Sequence, residues 1–422
     1  MGDRSNGSLD VIIIGAGIGG LTLGLRLHAA GIPCRVFEAA PEIKGFGVGI
    51  NLLPHATKAL TELGLQSDLA RVGIATSKIA YYNRFGQLIY NDPCGLHAGY
   101  DWPQFCIHRG DLQMVLLEAL VQRAGAERIV TGHRCTGVEQ DDSGVTVHFE
   151  DAAGRTLPPQ RGAIAVACDG IHSAIRKQFF PDEGPPRYSG LNMWRGVTRW
   201  KPFLDGKTFV RIGWHKPAKV LIYPIRDNID ADGRQLVNWV CDIEHETPIA
   251  QRDWNRQGRL SDFIGAIEDW TFPWLDVPAL CRAADQILEY PMVDQDPLPR
   301  WSHGRVTLLG DAAHPMLPRG ANGGAQAILD CTALTECLKR AGDPVAAFAA
   351  YEQQRRPATA QVVLTNRQQP PDAVLQEVYR RTGDRPFEHI DDVISQSELA
   401  SLLKSYQRVA GFDKERLQAR AG

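Results

Sequence analysis

Four consecutive apolar residues, Val11, Ile12, Ile13 and Ile14, open the readable pattern of the chain. A stretch that is apolar at every position suits a strand buried on both faces rather than one with a wet side. After the glycines at 15, 17, 19 and 20 the period lengthens. Leu21, Leu25 and Ala29 fall on one helical face, and Leu23 and Leu27 widen it. Gly31 ends that helix, and Pro33 opens a second strand through Cys34, Arg35, Val36 and Phe37. Residues 10–38 are therefore predicted to form a strand–helix–strand unit. Helical patterns follow from Pro54 to Gly64 and after Asp111, where Leu112, Val115, Leu116, Ala119 and Leu120 share one side. Between 133 and 168 short runs alternate, as at 145–149, and end in the apolar stretch 163–167.

Residues 181–186 (Pro-Asp-Glu-Gly-Pro-Pro) mark a boundary. From 188 to 295 tryptophans and alternating strands dominate, at 193–198, 208–213, 220–225 and 235–241. That texture predicts an antiparallel sheet with one face free for a ligand. A second fully apolar strand ends in Gly310-Asp311. It is followed by the glycine-rich stretch 318–324 and a helix over 326–340. The tail after 345 reads as mostly helical, with breaks at Pro357 and at Pro370-Pro371. The expected class is α/β. A Rossmann-like nucleotide-binding domain comes in two parts (1–187 and 296–365). It carries an inserted antiparallel-sheet substrate domain (188–295) and a C-terminal helical tail (366–422).

Composition narrows the classes. A chain of 422 residues, 44% hydrophobic and 23% charged, suits two packed domains of ordinary globular type. The net charge of −3 gives no reason to expect nucleic acid or an anionic membrane as partner. Nine cysteines, an odd number without a CxxC pair, argue against a disulfide framework or zinc site and fit a reducing, cytoplasmic setting. No apolar run reaches the roughly 18 residues of a membrane span. Residues 11–27 hold an ordered glycine fingerprint flanked by Asp3 and Asp10, so they read as structure and not as a signal peptide. The 12 histidines form no HExxH or HxxxH pair, so no metal is expected.

Two motifs far apart describe one ligand. Gly15, Gly17 and Gly20 satisfy G-x-G-x-x-G between a strand and a helix. That spacing allows a tight turn, close approach of backbone to a pyrophosphate, and close helix–strand packing. Helix N-terminal N–H groups then face the phosphates. Glu38, at the end of the next strand, sits near the ~20-residue offset of a ribose-binding acid. Asp311 stops a buried strand, where its acceptors suit a polyol chain; a plain N-cap is the alternative. Gly320, Gly323 and Gly324 let backbone approach a planar ring, with N–H groups ahead of a helix to stabilise negative charge. Together the motifs point to a firmly bound FAD rather than an exchanging nicotinamide cofactor.

The set resembles the single-component FAD-dependent aromatic hydroxylases, which share the para-hydroxybenzoate hydroxylase fold. A third hallmark of that family, a middle Asp-Gly motif, is matched by Cys168-Asp169-Gly170-Ile171-His172-Ser173-Ala174-Ile175-Arg176. Within the family the chain is similar to phenazine hydroxylases. The likeness lies in Gly47-Val48-Gly49-Ile50-Asn51, residues 107–114, residues 193–198, residues 290–294 and Gly320-Ala321-Asn322-Gly323.

The resemblance implies that Gly15, Gly17, Gly20 and Glu38 bind the ADP half of FAD. It places Arg109 on the flavin side and Asp169 in a motif linked to FAD and NAD(P)H. Asp311 would hold the ribityl chain, and Pro318, Gly320, Ala321 and Asn322 would line the isoalloxazine. It implies that NAD(P)H binds transiently and reduces the flavin, and that a C4a-hydroperoxyflavin formed with O2 hydroxylates an electron-rich ring. Two departures stand out: Ala167-Cys168 precedes Asp169 where relatives have Gly-Ala, and Gly324-Ala325-Gln326 follows Gly323 where many have Asn.

The substrate is expected between flavin and sheet, with Trp194, Arg195, Arg211, Tyr223 and Trp239 as candidate walls and Arg319 beside the flavin. Aromatic walls suit a flat ring, and arginine suits a carboxylate, as on a phenazine-like acid. Alternation alone leaves open which half of these residues faces the ligand. His314 reads as structural rather than acid–base. A flavin-dependent reductase or dehydrogenase of the same fold, or a non-catalytic FAD-holding protein, are the competing readings. The expected assembly is a monomer or homodimer.

Overall fold

The computed structural model describes residues 9–247, 257–368 and 372–419. The expected break at Pro370-Pro371 lies outside the described residues. A six-stranded sheet forms one layer, in the order Ser302–His303, Val306–Leu308, Ile164–Ala167, Val11–Ile14, Cys34–Phe37, Ile129–Val130. All neighbours are parallel except the Ser302–His303 edge strand. Val11–Ile14 is buried at all four positions, as its unbroken apolar run demands. The strands leading into the three glycine- and aspartate-bearing motifs lie side by side, with Ile164–Ala167 between the other two. Their carboxyl ends open on one crevice, where doubly wound sheets take their ligands.

The second layer is a seven-stranded sheet in the order Ile287–Asp294, Arg187–Trp200, Gln235–Glu244, Ala218–Arg226, Thr208–Trp214, Lys78–Tyr82, Leu88–Pro93. It is antiparallel except where Thr208–Trp214 meets Lys78–Tyr82. Two of its strands therefore come from outside the 188–295 stretch. One face packs Ile212, Val220, Ile222 and Trp239 against Phe263, Trp270 and Leu280. The other meets the strand Gly49–Leu52 through hydrogen bonds of Arg195, Tyr223 and Asn238 to Gly49. The helices Ala373–Thr382 and Gln396–Ala410 close the outer end of this sheet, packing Val374, Leu375, Leu399 and Leu403 with Tyr81 and Ile89.

Two local expectations are corrected. Pro357 does not break the tail: the helix Pro344–Gln368 runs through it. A helix-interior proline costs about 3 kcal/mol. Burial of Phe348, Tyr351, Val362 and Val363, with Arg355 tied to Asp330, offsets that cost. The helix placed at 326–340 begins earlier, at Asn322, so Gly323 and Gly324 lie in its first turn. A Cβ on Gly324 would come within 3.1 Å of Ile50 Cδ1, and the small residue permits that approach. Among the described residues no helix is long and apolar enough to cross a membrane, and no cluster of His, Cys, Asp and Glu could hold a metal.

Candidate active site

Gly15 adopts φ +102°, and a Cβ there would lie 2.6 Å from the Cys168 carbonyl. The first glycine thus seats the N-terminal turn directly on the middle Asp-Gly motif. A Cβ on Gly20 would fall 1.9 Å from Gly15 O, so only glycine allows this helix to pack on its strand. Gly17 has nothing within 4 Å of its would-be Cβ and faces open space. The helix Ile18–Ala29 begins there with no side-chain cap and no acid in its first turn. Its leading N–H groups are left for an anion. Glu38 braces the turn: Oε2 accepts from Ala16 N–H at 2.8 Å and Oε1 from Ala40 N–H at 2.9 Å.

The middle motif ties to the C-terminal one. Asp169 Oδ2 accepts from Ala174 N–H at 2.9 Å, while its buried Oδ1 has no partner. Burial raises that carboxyl above its ordinary value. Arg176 donates to the Ala312 and Ala313 carbonyls at 3.0 and 2.9 Å and pairs with Glu183. Asp311 is exposed to the crevice. Enclosure by protein raises its carboxyl, and His314 and Arg109 pull it back. Arg109, 202 positions earlier in the chain, is thus close enough for its charge to act on Asp311. Its side chain is exposed.

The glycine-rich loop is held from behind. Gly320 and Ala321 both take left-handed backbone, φ +64° and +57°. A Cβ on Gly320 would overlap Tyr406 Oη at 2.1 Å. Asn322 is buried, with Nδ2 donating to Tyr406 Oη at 2.7 Å and to Gly320 O at 3.0 Å, so its side chain supports the loop. Tyr406 Oη donates onward to Asn366 Oδ1 at 2.8 Å. Pro318 is exposed at the loop's front. The helix Asn322–Arg340 also starts without a side-chain cap or first-turn acid. About two turns in, Asp330 is fully buried. Its Oδ2 lies 2.6 Å from His314 Nε2 and accepts from Gly310 N–H at 3.2 Å, and its Oδ1 accepts from Arg355 Nε at 2.7 Å. This geometry gives His314 a supporting role under the Gly-Asp turn.

The sheet sorts the expected substrate walls by face. Arg195, Tyr223 and Arg211 lie on the face toward Gly49 and the loop. Arg195 Nη2 and Tyr223 Oη converge on Gly49 O at 2.7 and 3.0 Å. Trp194 and Trp239 are corrected: both point to the opposite face, into the core around Phe263. Their indoles are satisfied there by Glu289 and Thr198. Strand alternation allowed either face, and the larger apolar surface lies away from the crevice. Arg211 is already paired with Asp372, which also holds Lys219 at 2.6 Å. Arg319 sends Nη1 to the Asn366 carbonyl at 3.1 Å.

The FAD binding domain family matches residues 8–226 and 288–366. Phenazine 1,6-dicarboxylic acid hydroxylase of Lysobacter antibioticus is 42% identical, over 95% of this chain and 97% of that protein. The chain belongs to the single-component FAD-dependent aromatic hydroxylases. The 3-amino-4-hydroxybenzoate 2-monooxygenase of Streptomyces cremeus is 32% identical, over 83% of this chain and 84% of its own length. The structure of Klebsiella pneumoniae HpxO with FAD and uric acid superposes with a TM-score of 0.71 at 25% identity, covering 97% of this chain and 95% of that one.

The hydroxylase uses FAD with NAD(P)H and O2. Its crevice fits that cofactor on its own terms: two uncapped helix starts, a glycine cradle a Cβ would fill, and an orphaned Asp169 oxygen. Asp330, Arg355, Asn366, Asp372 and Tyr406 escaped the sequence reading. They are single polar residues on helices or loops with no motif around them, and only their burial marks them. Tyr406→Phe is expected to leave Asn322 Nδ2 and Asn366 Oδ1 short of a partner, costing about 1–3 kcal/mol. Lower melting temperature and faster FAD loss under mild denaturant are the readouts. Unchanged flavin retention would uncouple Tyr406 from the cofactor loop.

Proposed function

We propose that the hydroxylase acts on a fused N-heteroaromatic acid of the phenazine type. Arg195 carries this reading. It sits half-buried on the crevice side of the sheet, is held by Gly49 O, and has no acidic partner among the described residues. Its buried Nε is unpartnered. A guanidinium in that state suits a substrate carboxylate. Val240 and Leu221 beside it offer an apolar floor that packs with Leu317, next to the loop. The relative at 42% identity acts on such an acid, by its name.

Gly15, Gly17, Gly20, Glu38 and Asp311 would hold the cofactor, with the 318–322 backbone against its ring system. The chemistry FAD supplies when bound is hydride acceptance from NAD(P)H and activation of O2. The protein's own part is to orient the ring on the Val240–Leu221 floor, anchor its carboxylate at Arg195 and exclude water.

The test is NAD(P)H oxidation by the purified holoprotein with phenazine, quinoline, pyridine and phenolic acids. The expected product carries one oxygen from isotopically labelled O2, with or without loss of CO2. Substrate turnover without label in the product would favour a dehydrogenase. Arg195→Ala is expected to raise KM for the acid roughly 10- to 150-fold with flavin content unchanged. Unaltered kinetics would place the carboxylate elsewhere.

A further inference from the structure

The row of side chains that starts at Arg195 continues across the sheet. Arg195 is opposite Val240, Val240 opposite Leu221, Leu221 opposite Arg211, and Arg211 opposite Tyr81. Three strand spacings separate the two arginines, about 14 Å. The far end opens on a cavity lined by Arg211, Tyr81, Asp92, Gln104 and Phe412, with Gly320 of the cofactor loop in its wall. The row of side chains therefore has two ends of different charge.

At the near end Arg195 is an uncompensated cation. At the far end Arg211 is neutralised. Arg211 and Lys219 face Asp372 and Asp242, two cations against two anions, all buried. Asp92 adds a carboxylate whose oxygens have no hydrogen-bond or ion-pair partner among the described residues. Burial pushes this carboxyl up to about 6, with Arg211 opposing. In its ionised form it only accepts hydrogen bonds. Gln104 is buried with Nε2 unpartnered, and Arg211 Nε is likewise unpartnered, so the cavity offers two donors beside the Asp92 acceptor, a set that a ring hydroxyl, donor and acceptor at once, completes. Unsatisfied polar groups around a small cavity beside the cofactor loop mark a place that a ligand completes.

We propose that this cavity receives the edge of the substrate remote from the Arg195-bound carboxylate, and that Asp92 selects an edge bearing a hydrogen-bond donor over one bearing a second carboxylate. The donor is a ring hydroxyl, amine or ring N–H. Asp92 accepts from it, and a second carboxylate there meets the like charge of Asp92. This rests on the aromatic-acid reading above, and it assigns Asp92 a role in specificity.

The experiment is equilibrium binding to the holoprotein without NAD(P)H, read by perturbation of flavin absorbance and fluorescence. The probes are 6-hydroxyphenazine-1-carboxylate and phenazine-1,6-dicarboxylate. Wild type is expected to bind the hydroxy acid more tightly. Asp92→Asn, which keeps the shape, is expected to weaken the hydroxy acid about 10- to 150-fold and to leave the diacid unchanged or tighter. Asp92→Ser repeats the test in a second background. A diacid preference in wild type, or parallel changes for both ligands in the variants, would overturn the role of Asp92 alone. Failure of both acids to perturb the flavin in wild type would overturn the aromatic-acid reading, and this proposal with it.

Discussion

Asp330→Ala is expected to destabilise the hydroxylase by about 3–5 kcal/mol, the usual cost of removing one partner from a buried ion pair. The side chain is fully buried and serves three groups at once: His314, Arg355 and the Gly310 N–H. Its loss leaves the Arg355 guanidinium inside the protein with, among the described residues, only Gln326 to meet it. The Gly-Asp turn and the start of the helix Asn322–Arg340 lose their shared anchor together, so FAD content falls along with the melting temperature. Thermal denaturation of apo- and holoprotein checks both. A normal melting temperature would show that the site relaxes or admits water.

The same residue sets an acid limit. Burial alone would raise the Asp330 carboxyl, but His314 and Arg355 more than offset it and hold it below its ordinary value. A carboxyl depressed in the folded state contributes stability that is complete above its unfolded pKa, about 4, and is lost as pH falls through the folded value. Asp330→Ala should therefore flatten the pH dependence of stability on the acid side.

Glu38→Ala is expected to weaken FAD binding roughly 10- to 150-fold, the equivalent of about 1.5–3 kcal/mol for charge-assisted hydrogen bonds. The structure sharpens the reason. Both carboxylate oxygens are engaged with backbone, bridging Ala16 in the glycine turn to Ala40 after the next strand. The variant would lose the brace of the turn as well as the acceptor we propose for the ribose. Fluorescence titration of deflavo protein with FAD measures it. Unchanged affinity would confine Glu38 to holding the loop in a cofactor-independent way.

Much of the nucleotide-binding half was legible because its signals are local. The four apolar residues 11–14 read as a strand covered on both sides, and they form one. Gly15 and Gly20 announce a turn and a close approach, and the structure shows which atoms a Cβ would strike. The substrate side was legible only to a factor of two. Trp194 and Arg195 are neighbours in sequence and point to opposite faces, and the pattern carried no mark of which face held the ligand. Reading both tryptophans as pocket walls followed from their chemistry, and the core around Phe263 claimed them instead.

By itself, then, the sequence determined the strand–turn–helix units, the glycine positions and the acids at strand ends, because those depend on neighbours within a few residues of one another. The tertiary structure alone decided the face of the sheet, the pairing of Arg211 with Asp372 across 161 positions and the placing of Tyr406 behind Gly320. A lone polar residue on a helix has the same local signature whether it meets water or a buried partner. Only packing removes the water, and removing the water is what turns such a residue into an anchor.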